Sequence, residues 1–203
     1  MSPGSAAGGA DHLADRSERV SPWNLPNALT VLRVILVPVF GWLLLSQGGE
    51  STALRIWAAV VFSIATATDW LDGDLARRRG LVTDFGKVAD PIADKALMGM
   101  ALVGLSILGD LPWWITVVIL ARELGITLLR FWVIRIGVIP ASRGGKLKTA
   151  LQGLGLLLLI LPLTGFLHSL GLWVMYAALV VTVVTGLDYV LQALRLRRGA
   201  GTS

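Results

Sequence analysis

The sequence contains no cysteine and only two histidines among its 203 residues. The absence of cysteine excludes disulfide bonds, thiolate metal sites and cysteine nucleophiles. Charged residues are also scarce, at 15%, whereas 55% of the residues are hydrophobic and the mean hydropathy is +0.72. A chain with so little charge and so much apolar sequence is typical of a membrane protein rather than of a single soluble core.

The apolar residues fall into six runs near membrane-spanning length, which predicts an all-α polytopic membrane protein with six transmembrane helices. The preceding residues 1–22 are rich in Gly, Ala, Ser and Asp and predict a disordered tail. We therefore expect a six-helix domain over residues 23–195 and a basic C-terminal tail over 196–203. The six runs cover residues 26–46, 53–75, 88–109, 111–135, 147–168 and 170–194.

Basic residues concentrate at alternate ends of these runs, around residues 77–87, 135–148 and 195–198. By the positive-inside rule, both termini and the segment 69–94 face the cytoplasm, so we expect a multi-pass protein of the cytoplasmic (inner) membrane. The net charge of +5 does not indicate a nucleic-acid partner, because the basic residues cluster at the ends of apolar runs.

Acidic residues concentrate in the segment 69–94, which holds six of the thirteen in the chain. Asp69 and Asp72 are three residues apart and Asp90 and Asp94 are four apart, so on helices each pair shares one face. Ionised groups at a membrane boundary are costly and usually functional. Four carboxylates around one cavity would need cations to stay ionised. All-oxygen ligation then predicts two divalent cations, Mg²⁺ or Mn²⁺.

The same segment carries a recognisable motif. Asp69-x-x-Asp72-Gly73-x-x-Ala76-Arg77, followed after eight residues by Gly86-x-x-x-Asp90-x-x-x-Asp94, resembles the complete signature of the CDP-alcohol phosphotransferase family. Three further segments resemble the bacterial phosphatidylglycerophosphate synthases of that family: NLPNALTVLRVILVPVF, LARELGITLLR and GGKLKTALQ.

This resemblance implies an enzyme. It also implies that the enzyme is a homodimer and that it contacts membrane lipids. The enzyme would transfer the phosphatidyl group of CDP-diacylglycerol to the 1-hydroxyl of sn-glycerol 3-phosphate and release CMP. Two metal ions would be held by Asp69, Asp72, Asp90 and Asp94, with Asp94 also acting as the general base. The residues expected at CDP-diacylglycerol are Asn27, Thr30, Gly73, Ala76, Arg77 and Gly86.

Cations inside the apolar runs predict a site for the acceptor phosphate, because guanidinium groups bind phosphate through charge-assisted contacts. The candidates are Arg33, Arg122 and Arg130, joined by Arg143, Lys146 and Lys148 from the basic, glycine-containing entry to the fifth run. Each has an alternative interpretation. Arg33 would otherwise extend toward the headgroups, and Arg122, Glu123 and Arg130 would otherwise form structural ion pairs between helices. For Asp188, a bond to a neighbouring helix and a bond to one of these arginines stay equally open.

Three rival functions remain open at the level of sequence. The same chemistry accommodates another acceptor, such as inositol phosphate, serine, or phosphatidylglycerol as in one kind of cardiolipin synthase. A metal-dependent membrane phosphohydrolase would use water in place of the alcohol. A cation or proton transporter would use the carboxylates as a relay, although transporters usually place ionisable residues near the middle of the membrane.

Overall fold

The structure is a computed structural model that describes the backbone of residues 25–79, 84–133 and 143–200, and the side chains of 28–68, 92–129 and 145–195. All regular secondary structure within these ranges is helical, which confirms the all-α prediction. A 3-10 turn at Ser46–Gly49 connects the first two helices. The helices are α1 (Leu25–Leu45), α2 (Thr52–Arg79), α3 (Asp84–Leu108), α4 (Trp113–Val133), α5 (Arg143–Ile160) and α6 (Phe166–Ala200).

The six helices match the six apolar runs, with one clear difference at the fifth. We predicted that run to continue to residue 168, but α5 ends at Ile160 and α6 already begins at Phe166. Pro162 disfavours helical geometry at the residue before it, and Gly165 turns the chain with a φ of +61°. Apolar side chains continue through this turn, so hydropathy alone does not mark it. The last helix, α6, extends through Ala200 and so includes part of the predicted C-terminal tail. The predicted N-terminal tail, residues 1–22, lies outside the described residues.

Close helix contacts depend on small residues. A Cβ added to Gly104 would lie 2.7 Å from the Leu44 side chain, and one added to Gly155 would lie 2.8 Å from Met175. Both distances are too short for a methyl group unless the neighbouring side chain moves, so these two glycines permit close packing of the helices. Gly153 differs from them, because its Cβ position has nothing within 4 Å.

Arg55 joins three elements at the end of the molecule where α2 begins and α5 ends. Its Nη2 donates to Asp110 Oδ2 at 2.5 Å, in the turn between α3 and α4, and to the Leu159 carbonyl at 2.7 Å. Its Nε donates to the Ile160 carbonyl at 3.0 Å. The last carbonyls of a helix lack partners within the helix, so this Arg55 bridge satisfies two of them and fixes α5 against α2.

Within the described parts of the chain, two helical segments are long and apolar enough to cross a membrane, judged by length and composition. They are Ala28–Gly49 and Phe166–Arg195, and Thr52–Thr68 is a shorter apolar segment. Large apolar side chains also lie on the surface, among them Trp42, Trp57, Leu128 and Trp173. An exposed apolar surface of this kind is typical of contact with lipid or with a partner.

Candidate active site

A cavity of about 160 Å³ lies between α3, α4 and α5. Its lining combines an apolar part with six polar side chains, an arrangement typical of sites for small polar ligands. The apolar residues are Met98, Gly99, Leu102, Leu120 and Leu124, and the polar ones are Asp94, Lys95, Glu123, Lys148, Thr149 and Gln152.

Asp94 is the member of the acidic segment whose side chain the structure describes, and it lines this cavity from α3. The backbone is helical at Asp69 and Asp72 in α2 and at Asp90 and Asp94 in α3, so each pair has the helical spacing predicted for it. Both pairs occupy the adjoining ends of consecutive helices, because α2 ends at Arg79 and α3 begins at Asp84. The side chains of Asp69, Asp72, Asp90, Ala76, Arg77 and Asn27, and the surroundings of Gly73 and Gly86, lie outside the described residues.

Lys148 is the predicted phosphate-binding residue that the structure places in the cavity. It is only 8% exposed, and its Nζ donates to Glu123 Oε1 on the facing helix α4. Lys146, two residues earlier on α5, is exposed and lies outside the described lining. The side chains of Arg130 and Arg143 lie outside the described residues. Lys148 therefore brings a positive charge to a wall shared with Asp94.

Arg122 faces α6 instead of the cavity. Its Nε donates to the Thr182 carbonyl at 3.1 Å, its Nη2 to Thr185 Oγ1 at 3.0 Å and its Nη1 to Glu123 Oε1 at 3.1 Å. Gly186 makes room for this guanidinium, since a Cβ there would lie 3.0 Å from Arg122 Nε. These contacts support the alternative of a structural ion pair for Arg122, although its acidic partner is Glu123 on the same helix.

Lys95 is a cavity residue that the sequence reasoning missed. It follows Asp94 directly, and its Nζ donates to Thr127 Oγ1 on α4. Thr127 Oγ1 in turn donates to the Glu123 carbonyl at 2.7 Å. The available signal was a lysine inside the third apolar run, and a charge in such a run indicates function unless a partner explains it.

Arg33 is fully buried, which argues against the alternative that it extends toward the headgroups. Its Nε donates to the Ala65 carbonyl at 3.3 Å, one helical turn before Asp69. Thr30, one turn earlier on α1, is also buried. Neither residue is among the described lining of the cavity. The contact between Arg33 and Ala65 joins α1 to α2 one turn before the acidic segment.

Comparison with known proteins shows the family of the chain. Residues 23–184 match the CDP-alcohol phosphatidyltransferase family. The chain belongs to this family. It is 57% identical over 172 residues to a "Probable phosphatidylglycerophosphate synthase" of Mycobacterium tuberculosis, covering 85% of this chain and 82% of that protein. It is 39% identical over 183 residues to the Bacillus subtilis "CDP-diacylglycerol--glycerol-3-phosphate 3-phosphatidyltransferase", covering 82% of this chain and 93% of that one. The Rickettsia typhi protein with the same description is 39% identical over 171 residues, covering 82% of this chain and 94% of that protein.

This CDP-alcohol phosphatidyltransferase is thus an enzyme of phospholipid synthesis, as the signature predicted. Neither rival class, the transporter or the phosphohydrolase, agrees with that family. The cavity accordingly belongs to a phosphatidyltransferase, in which an alcohol must be deprotonated and positioned next to a diphosphate. Asp94 and Lys148 are of the chemical types that these two tasks require.

Proposed function

We propose that this enzyme transfers the phosphatidyl group of CDP-diacylglycerol to the 1-hydroxyl of sn-glycerol 3-phosphate, giving phosphatidylglycerophosphate and CMP. The observation that carries the proposal is that Asp94 from α3 and Lys148 from α5 line one cavity. A carboxylate and a buried ammonium group there match the two ends of this acceptor, a hydroxyl to be deprotonated and a phosphate to be held. The names of the Mycobacterium tuberculosis and Bacillus subtilis relatives support the same choice of substrates.

In the proposed reaction, Asp94 accepts the proton of the 1-hydroxyl as that oxygen bonds to the phosphorus carrying the diacylglycerol. The bond between this phosphorus and the oxygen bridging to the cytidine monophosphate breaks, and CMP leaves with the bonding electron pair. The carboxylate of Asp94 becomes a carboxylic acid in this step and returns its proton to solvent afterwards.

Lys148 would hold the acceptor phosphate, and Glu123 would fix the direction of its ammonium group. Lys95, adjacent to Asp94, adds a second cation to the same cavity. Arg130, Arg143 and Lys146 stay proposed contributors, because they belong to the end of α4 and the start of α5. Arg122 already donates three hydrogen bonds to α6 and Glu123, so we propose that it stabilises the packing of α4 and α6 and does not bind the phosphate. We likewise assign Arg33 to holding α1 against α2.

For CDP-diacylglycerol, we keep the residues that the family signature implies. They belong to the first half of α1, the second half of α2 and the start of α3, the helix that also carries Asp94. These residues are Asn27, Thr30, Gly73, Ala76, Arg77 and Gly86.

Two divalent cations, Mg²⁺ or Mn²⁺, would be held by Asp69, Asp72, Asp90 and Asp94. The donors fit hard cations, because all are carboxylate oxygens and the helical spacing puts each pair on one face. Bound there, the ions would supply positive charge to the diphosphate and to the departing CMP.

Removal of divalent cations is expected to abolish transfer. Purified enzyme dialysed against EDTA should release no CMP, and addition of Mg²⁺ or Mn²⁺ should restore release, because four carboxylates without cations repel the anionic substrate. Full turnover in thoroughly chelated enzyme would refute the two-cation proposal.

The choice of acceptor is tested by lipid analysis. Enzyme supplied with labelled CDP-diacylglycerol is offered glycerol 3-phosphate, inositol phosphate, serine, phosphatidylglycerol or water, and the labelled products are separated by thin-layer chromatography. We expect phosphatidylglycerophosphate to form fastest. Faster product formation with any other acceptor would overturn the assignment.

We further propose six spans, with both termini on the cytoplasmic face of the membrane and a homodimeric assembly. Support comes from the six apolar helices, the exposed apolar surface and the basic residues around 77–87, 135–148 and 195–198. Because the chain has no cysteine, Ser203→Cys creates a single thiol. We expect an impermeant maleimide to label it only after cells are opened, and labelling of intact cells would contradict the topology. The mass of the solubilised enzyme tests the dimer.

A further inference from the structure

Gln152 is a buried polar side chain that the proposed reaction does not use. It is 4% exposed, lies on α5 and lines the cavity. The described part of the structure shows no hydrogen bond to its amide, and neither polar atom of the amide is among the fully enclosed side-chain atoms without a partner in that part. The amide is therefore open to the cavity that Gln152 lines. An amide that is open to a cavity and has no hydrogen bond in the described part of the structure is available to bind whatever occupies that cavity.

The position of Gln152 relative to Lys148 restricts which part of a bound ligand can contact the amide. The two residues are four apart on α5, so they lie on one face of the helix with Cβ atoms about 5–6 Å apart. Asp94 lines the same cavity from α3. If the phosphate of a ligand binds Lys148, the part of the ligand that contacts Gln152 is therefore only a few bonds away from that phosphate.

The chemistry of the amide indicates which group this is. A glutamine side chain offers an N–H₂ donor and a carbonyl acceptor. A phosphate dianion only accepts hydrogen bonds, so it leaves the carbonyl of the amide unmatched. A hydroxyl both donates and accepts and can satisfy both halves of the amide. In glycerol 3-phosphate, the 2-hydroxyl lies between the phosphate and the hydroxyl that reacts.

We propose that Gln152 binds the 2-hydroxyl of the acceptor and makes the enzyme specific for a polyol phosphate over a simple alcohol phosphate. This inference rests on the proposed function and adds a specificity-determining residue to it. A buried group that hydrogen-bonds a substrate hydroxyl discriminates strongly against an analogue that lacks it, because the analogue leaves that group without a partner.

The test compares two acceptors, glycerol 3-phosphate and 3-hydroxypropyl phosphate, which lacks only the 2-hydroxyl. We expect the wild-type enzyme to favour glycerol 3-phosphate in kcat/KM. Gln152→Met should lower kcat/KM for glycerol 3-phosphate by about 10- to 100-fold and leave the value for 3-hydroxypropyl phosphate within about threefold. The variant should therefore lose most of the preference for glycerol 3-phosphate over 3-hydroxypropyl phosphate.

Stability distinguishes this role from a structural one. Removing an amide that makes no hydrogen bond within the described ranges should leave the thermal midpoint of the solubilised enzyme unchanged or raise it. Gln152→Leu serves as a second variant, with the same expected collapse of preference. Gln192→Met is the matched control, since Gln192 lies on α6 and donates to Asp188 at 2.8 Å, away from the cavity. It should keep the wild-type preference.

Several results would overturn the inference. They are an equal loss for both acceptors, an unchanged preference in both variants, a lower thermal midpoint in both, or a wild-type enzyme that uses both acceptors equally. Failure of the proposed function looks different, since the wild-type enzyme would then transfer nothing to glycerol 3-phosphate. That result would remove this inference as well.

Discussion

Replacement of Asp94 with asparagine is expected to lower kcat by about 10²- to 10⁴-fold, the usual contribution of a positioned general base. Asparagine has almost the same shape, but its amide does not accept a proton at neutral pH. The KM for CDP-diacylglycerol should change little, because Asp69, Asp72 and Asp90 would still hold the nucleotide end. Steady-state release of CMP at several concentrations of each substrate measures both constants.

Asp188→Asn is the matched control for this experiment. Asp188 is exposed on α6 and accepts a hydrogen bond from Gln192, one turn further along the helix. The same chemical change there should leave kcat and both KM values at wild-type levels. Near-native turnover of Asp94→Asn would show that a different group takes the proton.

Replacement of Lys148 with methionine is expected to raise the KM for glycerol 3-phosphate by about 10- to 100-fold, the usual effect of losing one hydrogen bond to a charged group. The KM for CDP-diacylglycerol should stay within about threefold of the wild-type value. Glu123 keeps Arg122 as a partner after this change, so the helix bundle should remain folded. Initial rates across a concentration series of each substrate measure the two KM values separately.

Two other variants make this result specific. Arg195→Met removes a cation from an exposed position on α6 and should leave both KM values unchanged. Lys146→Met removes a cation two residues before Lys148 but outside the described lining of the cavity, so its effect should be smaller than that of Lys148→Met. Equal rises in both KM values for Lys148→Met would show that Lys148 is structural.

Most of the fold was predictable because helices in apolar runs depend mainly on composition and spacing. The six runs and the six helices correspond, and the largest difference, at the end of α5, has a local cause. Pro162 and Gly165 end the helix within apolar sequence, and a hydropathy pattern does not register them. Proline and glycine in this segment were the available signal.

The candidate site was predictable in its chemistry and less so in its geometry. The spacing of the aspartates depends only on the helical period, so the placement of both pairs on helices followed from sequence. Which cations turn toward the cavity depends on tertiary packing. Lys148 rather than Lys146 faces inward, and Arg122 turns toward Thr182 and Thr185 because α6 packs beside it.

Two cavity residues, Lys95 and Gln152, were not singled out from sequence for different reasons. Lys95 stands next to Asp94 and carries a charge within an apolar run, so its signal was present and unused. Gln152 ends the segment GGKLKTALQ that resembles the family, but that segment gives no reason to single out the glutamine from its neighbours. The proposed role of Gln152 depends on its burial and its place in the cavity wall, and neither is readable from sequence.

The Arg55 bridge also has a consequence for how α5 would tilt. It fixes α2, the turn between α3 and α4, and the last turn of α5 at one end of the molecule. Lys148 lies about 18 Å from Ile160 along α5, at a rise of about 1.5 Å per residue. A tilt of α5 about Arg55 would therefore displace the helix by an amount that increases from Ile160 toward the cavity residues and the start of the helix. A rotation of a few degrees about that fixed end would widen the cavity for an incoming acceptor. The helix ends joined by Arg55 would keep their positions.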